Sequence, residues 1–256
     1  MNILDKIVAE KEREVAGLPK RAVEAAAGRR DFAGALRKPR RGKVALIAEV
    51  KKASPSAGVI CADFDPVRIA KEYEAAGADC LSVLTDTKFF QGSLDYLRQI
   101  REAVKLPLLR KDFIIDERQI SESIENGADA ILLIARILDD ARLKRFHALA
   151  TKAGLSVLVE THDEREMDRA LAIGATLIGV NNRNLDNFTV DISTTGRLAA
   201  KVSNGATLVA ESGIHSRADV EALERSGAKA ILVGEALMRN SAGIAAKVSE
   251  LLGARY

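Results

Sequence analysis

Six short segments of this 256-residue chain gather the residue types that proton transfer and anion binding require. They are Glu49-Val50-Lys51, Arg110-Lys111-Asp112-Phe113, Glu160, Asn181-Asn182-Arg183-Asn184, Glu211-Ser212-Gly213 and Gly234-Glu235. Carboxylates and ammonium groups held together can pass a proton or steady a developing charge. Backbone amides at serine and glycine turns can cradle an oxyanion. Each segment lies at the end of a short aliphatic run. One charged side chain in such a place is ordinary, because long side chains snorkel to water. Glu49, Lys51, Lys111, Glu160, Asn181 and Glu211 at five such ends are different. Gathering them costs desolvation that a sequence selected for stability alone avoids. The pattern predicts a site.

The runs behind these segments span residues 44–50, 80–84, 106–109, 130–134, 156–159, 177–180, 207–210 and 230–233. They are short, β-branched and nearly continuous, as strands buried on both faces are. Between them, helical periodicity predicts helices over 66–76, 94–104, 117–126, 142–152, 164–172 and 218–226. A Gly-Ala pair at Gly77, Gly127, Gly174 and Gly227 recurs at intervals of roughly 50 residues, two βα units each. The glycine ends a helix in a left-handed turn and the small alanine leads tightly into the next strand. Eight strands alternating with helices predict an α/β fold, a (β/α)8 TIM barrel; an open doubly wound sheet is the alternative. Ile3, Leu4, Ile7, Val8 and Val15 have helical spacing, so an extra N-terminal helix is expected over 2–16. The chain is read as one domain over 1–256: an N-terminal helical extension, 1–43, packed on a barrel, 44–256.

Barrel chemistry sits at the C-terminal ends of strands, where the six segments fall. Strand side chains alternate, so Glu49 and Lys51 share the inward face and Val50 points to the helices. Ser212, Gly213 and Gly234 offer amides for a phosphate, with a short helix over 235–239 behind them. The Glu235 carboxylate would repel that anion, so only its backbone N–H is expected to face it.

Composition narrows the partners. Net charge is +3 with acids and bases interspersed, which argues against a nucleic-acid stripe. The basic run 37–43 is read as a solvated linker. No apolar run approaches the ~20 residues that cross a membrane, and no secretion signal is seen, so a cytoplasmic protein is expected. Cys61 and Cys80 are too few for a disulfide framework or a zinc site. His147, His162 and His215 are scattered; the first is read as packing, and the other two, close behind top-face residues, as possible supports. No Walker loop or dinucleotide fingerprint occurs, so neither metal nor organic cofactor is expected.

The segments 47–56 (IAEVKKASPS), 109–114 (LRKDFI), 159–162 (VETH), 180–185 (VNNRNL), 210–214 (AESGI) and 233–239 (VGEALMR) resemble the signatures of the indole-3-glycerol-phosphate synthase family. The first two are specific to it; the glycine-bearing last two recur in other phosphate-binding barrels. The resemblance covers essentially the whole chain. It implies a carboxy-lyase of tryptophan biosynthesis acting on a small molecule, 1-(2-carboxyphenylamino)-1-deoxyribulose 5-phosphate. The products would be indole-3-glycerol phosphate, carbon dioxide and water. It further implies Lys111 as general acid in ring closure and Glu160 and Lys51 as candidates in dehydration. Glu49 and Glu211 would orient or balance charge, and Asn181 would bond a sugar hydroxyl or an acidic partner. Phe90, Phe113 and Leu132 would wall the anthranilate ring. Lys51, Ser212, Gly213, Gly234 and the Glu235 backbone would take the phosphate, with Ser54 beside them. Arg183 would bind substrate or brace a glutamate. A monomer or weak homodimer is expected. Another phosphosugar barrel enzyme, such as phosphoribosylanthranilate isomerase, is the alternative; a Schiff-base aldolase and a non-catalytic phosphate binder are further ones.

Overall fold

The computed structural model describes residues 2–25, 28–185, 187–202, 205–239 and 241–253. In chain order the elements are α1 (Ile3–Ala16), α2 (Phe32–Arg37), β1 (Ala45–Val50), β2 (Ala53–Ser54), β3 (Gly58–Val59), α3 (Pro66–Ala76), β4 (Cys80–Leu84), α4 (Leu94–Ala103) and β5 (Leu108–Lys111). They continue with α5 (Arg118–Glu125), β6 (Ala130–Ile134), a 3-10 turn (Ala135–Ile137), α6 (Asp140–Lys152), β7 (Ser156–Thr161), α7 (Glu164–Ala172) and β8 (Leu177–Asn181). The last are α8 (Ser193–Ala199), β9 (Thr207–Glu211), α9 (Arg217–Arg225), β10 (Ala230–Val233), α10 (Glu235–Met238) and α11 (Ile244–Leu252). Strands β1 and β4 to β10 close, all parallel, into one barrel in which β1 pairs with both β4 and β10. This is the TIM barrel expected, with the extra helix α1.

Alternation along the strands builds two apolar layers. Ile47, Leu109, Leu132, Leu158, Val209 and Leu232 fill the barrel interior. Their neighbours Leu46, Leu108, Ile131, Val157, Ala210 and Ile231 meet the surrounding helices. Phe32 and Leu36 of α2 join the interior set and stopper the N-terminal end. The repeat's aspartates tie that end together. Asp79 accepts the Leu46 N–H at 2.7 Å and the Arg40 N–H at 2.6 Å; Asp129 accepts those of Leu108 at 2.9 Å and Arg30 at 2.7 Å. Gly77 does end α3 in the left-handed conformation, at φ 97°.

Three expectations shift. The third barrel strand starts at Leu108, two residues later than read, because Pro107 has no N–H for a ladder and only its carbonyl bonds, to the Leu81 N–H at 2.9 Å. Arg110 and Lys111 are therefore strand residues. The basic run is not simply solvated: Arg41 is buried and donates to the Ala76 carbonyl at 2.9 Å. Helices α2, α8 and α11 and the β2–β3 hairpin were not among the predicted elements.

Candidate active site

The top inward layer of the barrel is polar because the alternation that buries Ile47, Leu109, Leu158 and Val209 brings Glu49, Lys111, Glu160 and Glu211 round next. Lys111 Nζ lies 3.1 Å from Glu160 Oε2 and 3.1 Å from Glu211 Oε2. Lys51 Nζ lies 2.7 Å from Glu49 Oε2, as their shared face predicts. Asn181 Nδ2 donates to Glu160 Oε1 at 3.3 Å. All of these groups line one cleft at the C-terminal end of the barrel.

The two carboxylates on Lys111 live in different surroundings. Burial alone would raise the proton affinity of Glu160, but Lys111, His162 and Asn181 outweigh it and hold that carboxyl well below the usual range. Glu211 is buried with only Lys111 to offset Glu160 and Glu49, and is pushed up to about 7. Its Oε1 finds no hydrogen-bond partner among the described residues. Burial disfavours charge on Lys111 too, yet Glu160, Glu211 and Glu49 prevail and raise it well above a free lysine. One ammonium thus stands between a firm anion and a carboxyl able to exchange a proton near neutrality.

One wall of the cleft is apolar. The Phe90 and Phe113 rings lie 5.9 Å apart, with Leu132 also lining it. Three residues of α1 (Ile3, Leu4 and Ile7) also line the cleft, as do Leu185 and Phe188. The helix was expected, but its share in the site was not. Its anchor is Lys11, buried at 2 % exposure, with Nζ 3.0 Å from Asp86 and 2.9 Å from Asp112. Asp86 in turn accepts the Phe89 and Phe90 N–H groups at 2.8 and 3.2 Å, fixing the aromatic wall. Asp112 also pairs with Arg110 at 3.0 Å. Burial opposes charge on Lys11 and Asp112, but their ion pairs override it, raising the lysine and lowering the carboxyl. A lysine on an amphipathic helix reads in sequence as solvated; nothing local marks Lys11 as buried.

The other side of the cleft carries Ser54, Ser212, Gly213, Gly234 and Glu235. Ser212 and Gly213 are both left-handed, at φ 66° and 77°, so the chain folds back sharply behind Glu211. Such a backbone is strained for serine. Asn182 braces it, donating Nδ2 to the Ser212 carbonyl at 3.2 Å. Within α10 the Leu237 and Met238 amides bond the Gly234 carbonyl. The Glu235 carboxylate turns along the helix to Arg239, 3.1 Å away. Arg183 lines the cleft and, among the described residues, meets no glutamate: its guanidinium donates to the Phe188 carbonyl at 3.3 Å and its N–H to Asn181 Oδ1 at 3.0 Å. These bonds stiffen its own loop. His162, read only as a possible support, meets two carboxylates: Glu160 Oε1 at 3.2 Å and Glu166 Oε2 at 2.8 Å.

Comparison with known proteins follows the same line. The family model described as indole-3-glycerol phosphate synthase matches residues 4–251. The indole-3-glycerol phosphate synthase of Desulfotalea psychrophila is 52% identical over 252 residues, covering 94% of this chain and 96% of its own. That of Polaromonas naphthalenivorans is 52% identical over 262 residues, covering 98% and 99%. Among solved structures, 3-hexulose-6-phosphate synthase from Salmonella typhimurium superposes with a TM-score of 0.66 at 16% identity, covering 81% of this chain and 96% of its own. At that identity the likeness speaks for the barrel alone.

Proposed function

The chain belongs to the indole-3-glycerol phosphate synthase family, and from that premise we propose how the residues at the barrel mouth divide the work. The enzyme closes the pyrrole ring of 1-(2-carboxyphenylamino)-1-deoxyribulose 5-phosphate and releases carbon dioxide and water, which makes it a carboxy-lyase. The aryl carbon bearing the carboxylate attacks the ketone carbon; the carboxylate leaves as carbon dioxide; the new hydroxyl leaves as water. Lys111 gives its proton to the ketone oxygen as charge builds there. The observation that carries this is Nζ, 3.1 Å from each of two buried carboxylates and 14 % exposed, facing the cleft.

Glu160 stays ionised and steadies the cationic ring formed on closure, then draws off the proton lost in dehydration. Lys51, set against Glu49, assists the departing hydroxyl. Glu211, with its raised proton affinity, returns a proton to Lys111. Asn181 orients Glu160 and offers its remaining capacity to a sugar hydroxyl. Phe90, Phe113 and Leu132 hold the anthranilate ring flat for attack. The phosphate sits opposite, on the amides of Ser212, Gly213, Gly234 and Glu235, with Ser54 and Lys51 beside it. The Glu235–Arg239 pair supports this arrangement because it draws the Glu235 carboxylate aside. The chain works as one domain, residues 1–43 serving the barrel, as the α1 side chains in the cleft suggest. We place it in the cytoplasm as a monomer or weak homodimer; among the described residues no helix is long and apolar enough to cross a membrane.

The test is indole fluorescence and carbon dioxide release from the carboxyphenylamino substrate. Lys111→Ala should lower kcat by roughly 100- to 10,000-fold, the scale of a general acid. A loss under about tenfold removes Lys111 from that role.

A further inference from the structure

We infer that His162 is a positioning residue for ring closure: two residues beyond Glu160 at the end of β7, it holds the Glu160 carboxylate from the side away from Lys111, with Glu166 of α7 as its anchor. The inference rests on the role proposed for Glu160. Three groups converge on that carboxylate. Lys111 takes Oε2 at 3.1 Å, while Asn181 Nδ2 and His162 Nε2 approach Oε1 at 3.3 and 3.2 Å. A carboxylate gripped at both oxygens keeps one plane and one reach into the cleft.

His162 is itself built in. Its side chain is 6 % exposed. Glu166 Oε2 accepts the His162 backbone N–H at 2.9 Å and faces ring Nδ1 at 2.8 Å. Glu166 is held in turn by the Asp163 side chain, which accepts its N–H at 2.8 Å at the start of α7. With Nδ1 committed to Glu166, Nε2 is left aimed at Glu160. Nε2, 3.2 Å from Glu160 Oε1, makes no aligned hydrogen bond to a described residue, so charge and proximity carry the contact in this state. Catalytic hydrogen bonds commonly tighten when substrate arrives.

Charge reinforces the geometry. The charged groups facing His162 are Glu160 from its own strand and Glu166 from α7; beyond Glu160 stand Lys111 of β5 and Glu211 of β9. Burial works against an imidazolium there, but the two glutamates outweigh it and lift the ring to about 9. At neutral pH a cation therefore backs Glu160 and keeps it ionised. Glu211, without such a backer, is the carboxyl that gains a proton.

The experiment measures kcat and KM against pH for wild type, His162→Ala, His162→Gln, Glu166→Gln and Glu160→Gln. Removing the imidazole should lower kcat by roughly 10- to 100-fold, the cost of a misplaced reacting group, with KM nearly unchanged. The acid limb of kcat, the low-pH loss that marks protonation of Glu160, should set in at higher pH as Glu160 loses an opposite charge. His162→Gln restores a neutral donor: most of kcat at pH 8 should return while the acid limb stays displaced. Glu166→Gln should lower kcat in the same direction, and its effect should not add to that of His162→Gln. Wild-type kcat with an unmoved acid limb in folded His162→Ala overturns the inference. If that protein does not fold, full additivity of the two glutamine variants overturns it instead. Wild-type turnover in Glu160→Gln would overturn this inference and the proposed role of Glu160 together. A dead Glu160→Gln beside unaffected His162 variants would overturn this one alone.

Discussion

Replacing Gly179 by alanine tests the mouth without removing any charged group. Gly179 is an inward position of β8, and a Cβ built on it lies 2.3 Å from Glu211 Oε1 and 3.4 Å from Leu158 Cδ1. The backbone has no room to yield. Gly179 is paired with Glu160 on one side and Val209 on the other, and its carbonyl accepts the Thr161 hydroxyl at 2.9 Å. The carboxylate must move instead. Ordinary contact begins near 3.4 Å, so Oε1 must retreat by about 1 Å. Oε2 belongs to the same rigid carboxylate, so a shift of that size displaces it from its 3.1 Å contact with Lys111. Misplacing a reacting group by that much costs roughly 100-fold in turnover. Overpacking costs about 1–3 kcal/mol of stability, or roughly 2–12 °C in Tm for a chain of this size. The assay is steady-state indole formation with thermal unfolding alongside. Gly179→Ala should fold, bind substrate with a similar KM, and turn over slowly. Wild-type kcat in a folded variant would show that the Lys111–Glu211 contact contributes nothing to the reaction.

Two further outcomes follow from buried charge. Lys11→Met strands Asp86 and Asp112 without their shared cation and should cost about 3–5 kcal/mol in chemical denaturation. It should also raise KM, since α1 and the Phe90 wall lose their tie; an unchanged unfolding midpoint would refute this. Stability should depend on pH through His162 and Glu160. His162 holds its proton more tightly folded, at about 9, than the ordinary 6.5, so its contribution is whole below 6.5 and is lost as pH rises through 9. That loss amounts to roughly 3 kcal/mol. Glu160 is depressed, so its contribution is whole above about 4.5 and fades as pH falls. Tm against pH should therefore decline on the alkaline side for wild type and be flatter there for His162→Gln.

The parts legible in the sequence were those set by strict periodicity. Two-residue alternation put Glu49 and Lys51 on one face and Lys111, Glu160 and Glu211 at the ends of inward rows, and the structure joins them. Helices α3 and α7 keep their predicted bounds; in the structure Asp65 and Asp163 cap their starts, and Gly77 and Gly174 follow them. What failed depends on contacts distant in sequence. Lys11 has the local pattern of a surface lysine, and only Asp86 and Asp112, contributed by other βα units, make it buried. His162 lay in plain view beside Glu160, yet only the path of α7 brings Glu166 to its other nitrogen.

The stopper at the far end has its own consequence. With Phe32 and Leu36 packed under an interior filled by Ile47, Leu109 and Val209, the described residues close that end of the barrel and leave the cleft open at the other. Substrate, carbon dioxide, water and the finished indole share one route past α1 and the aromatic wall. Substrate and indole product carry the same phosphate, so on the proposed seat each excludes the other. Accumulated product should therefore compete directly with substrate.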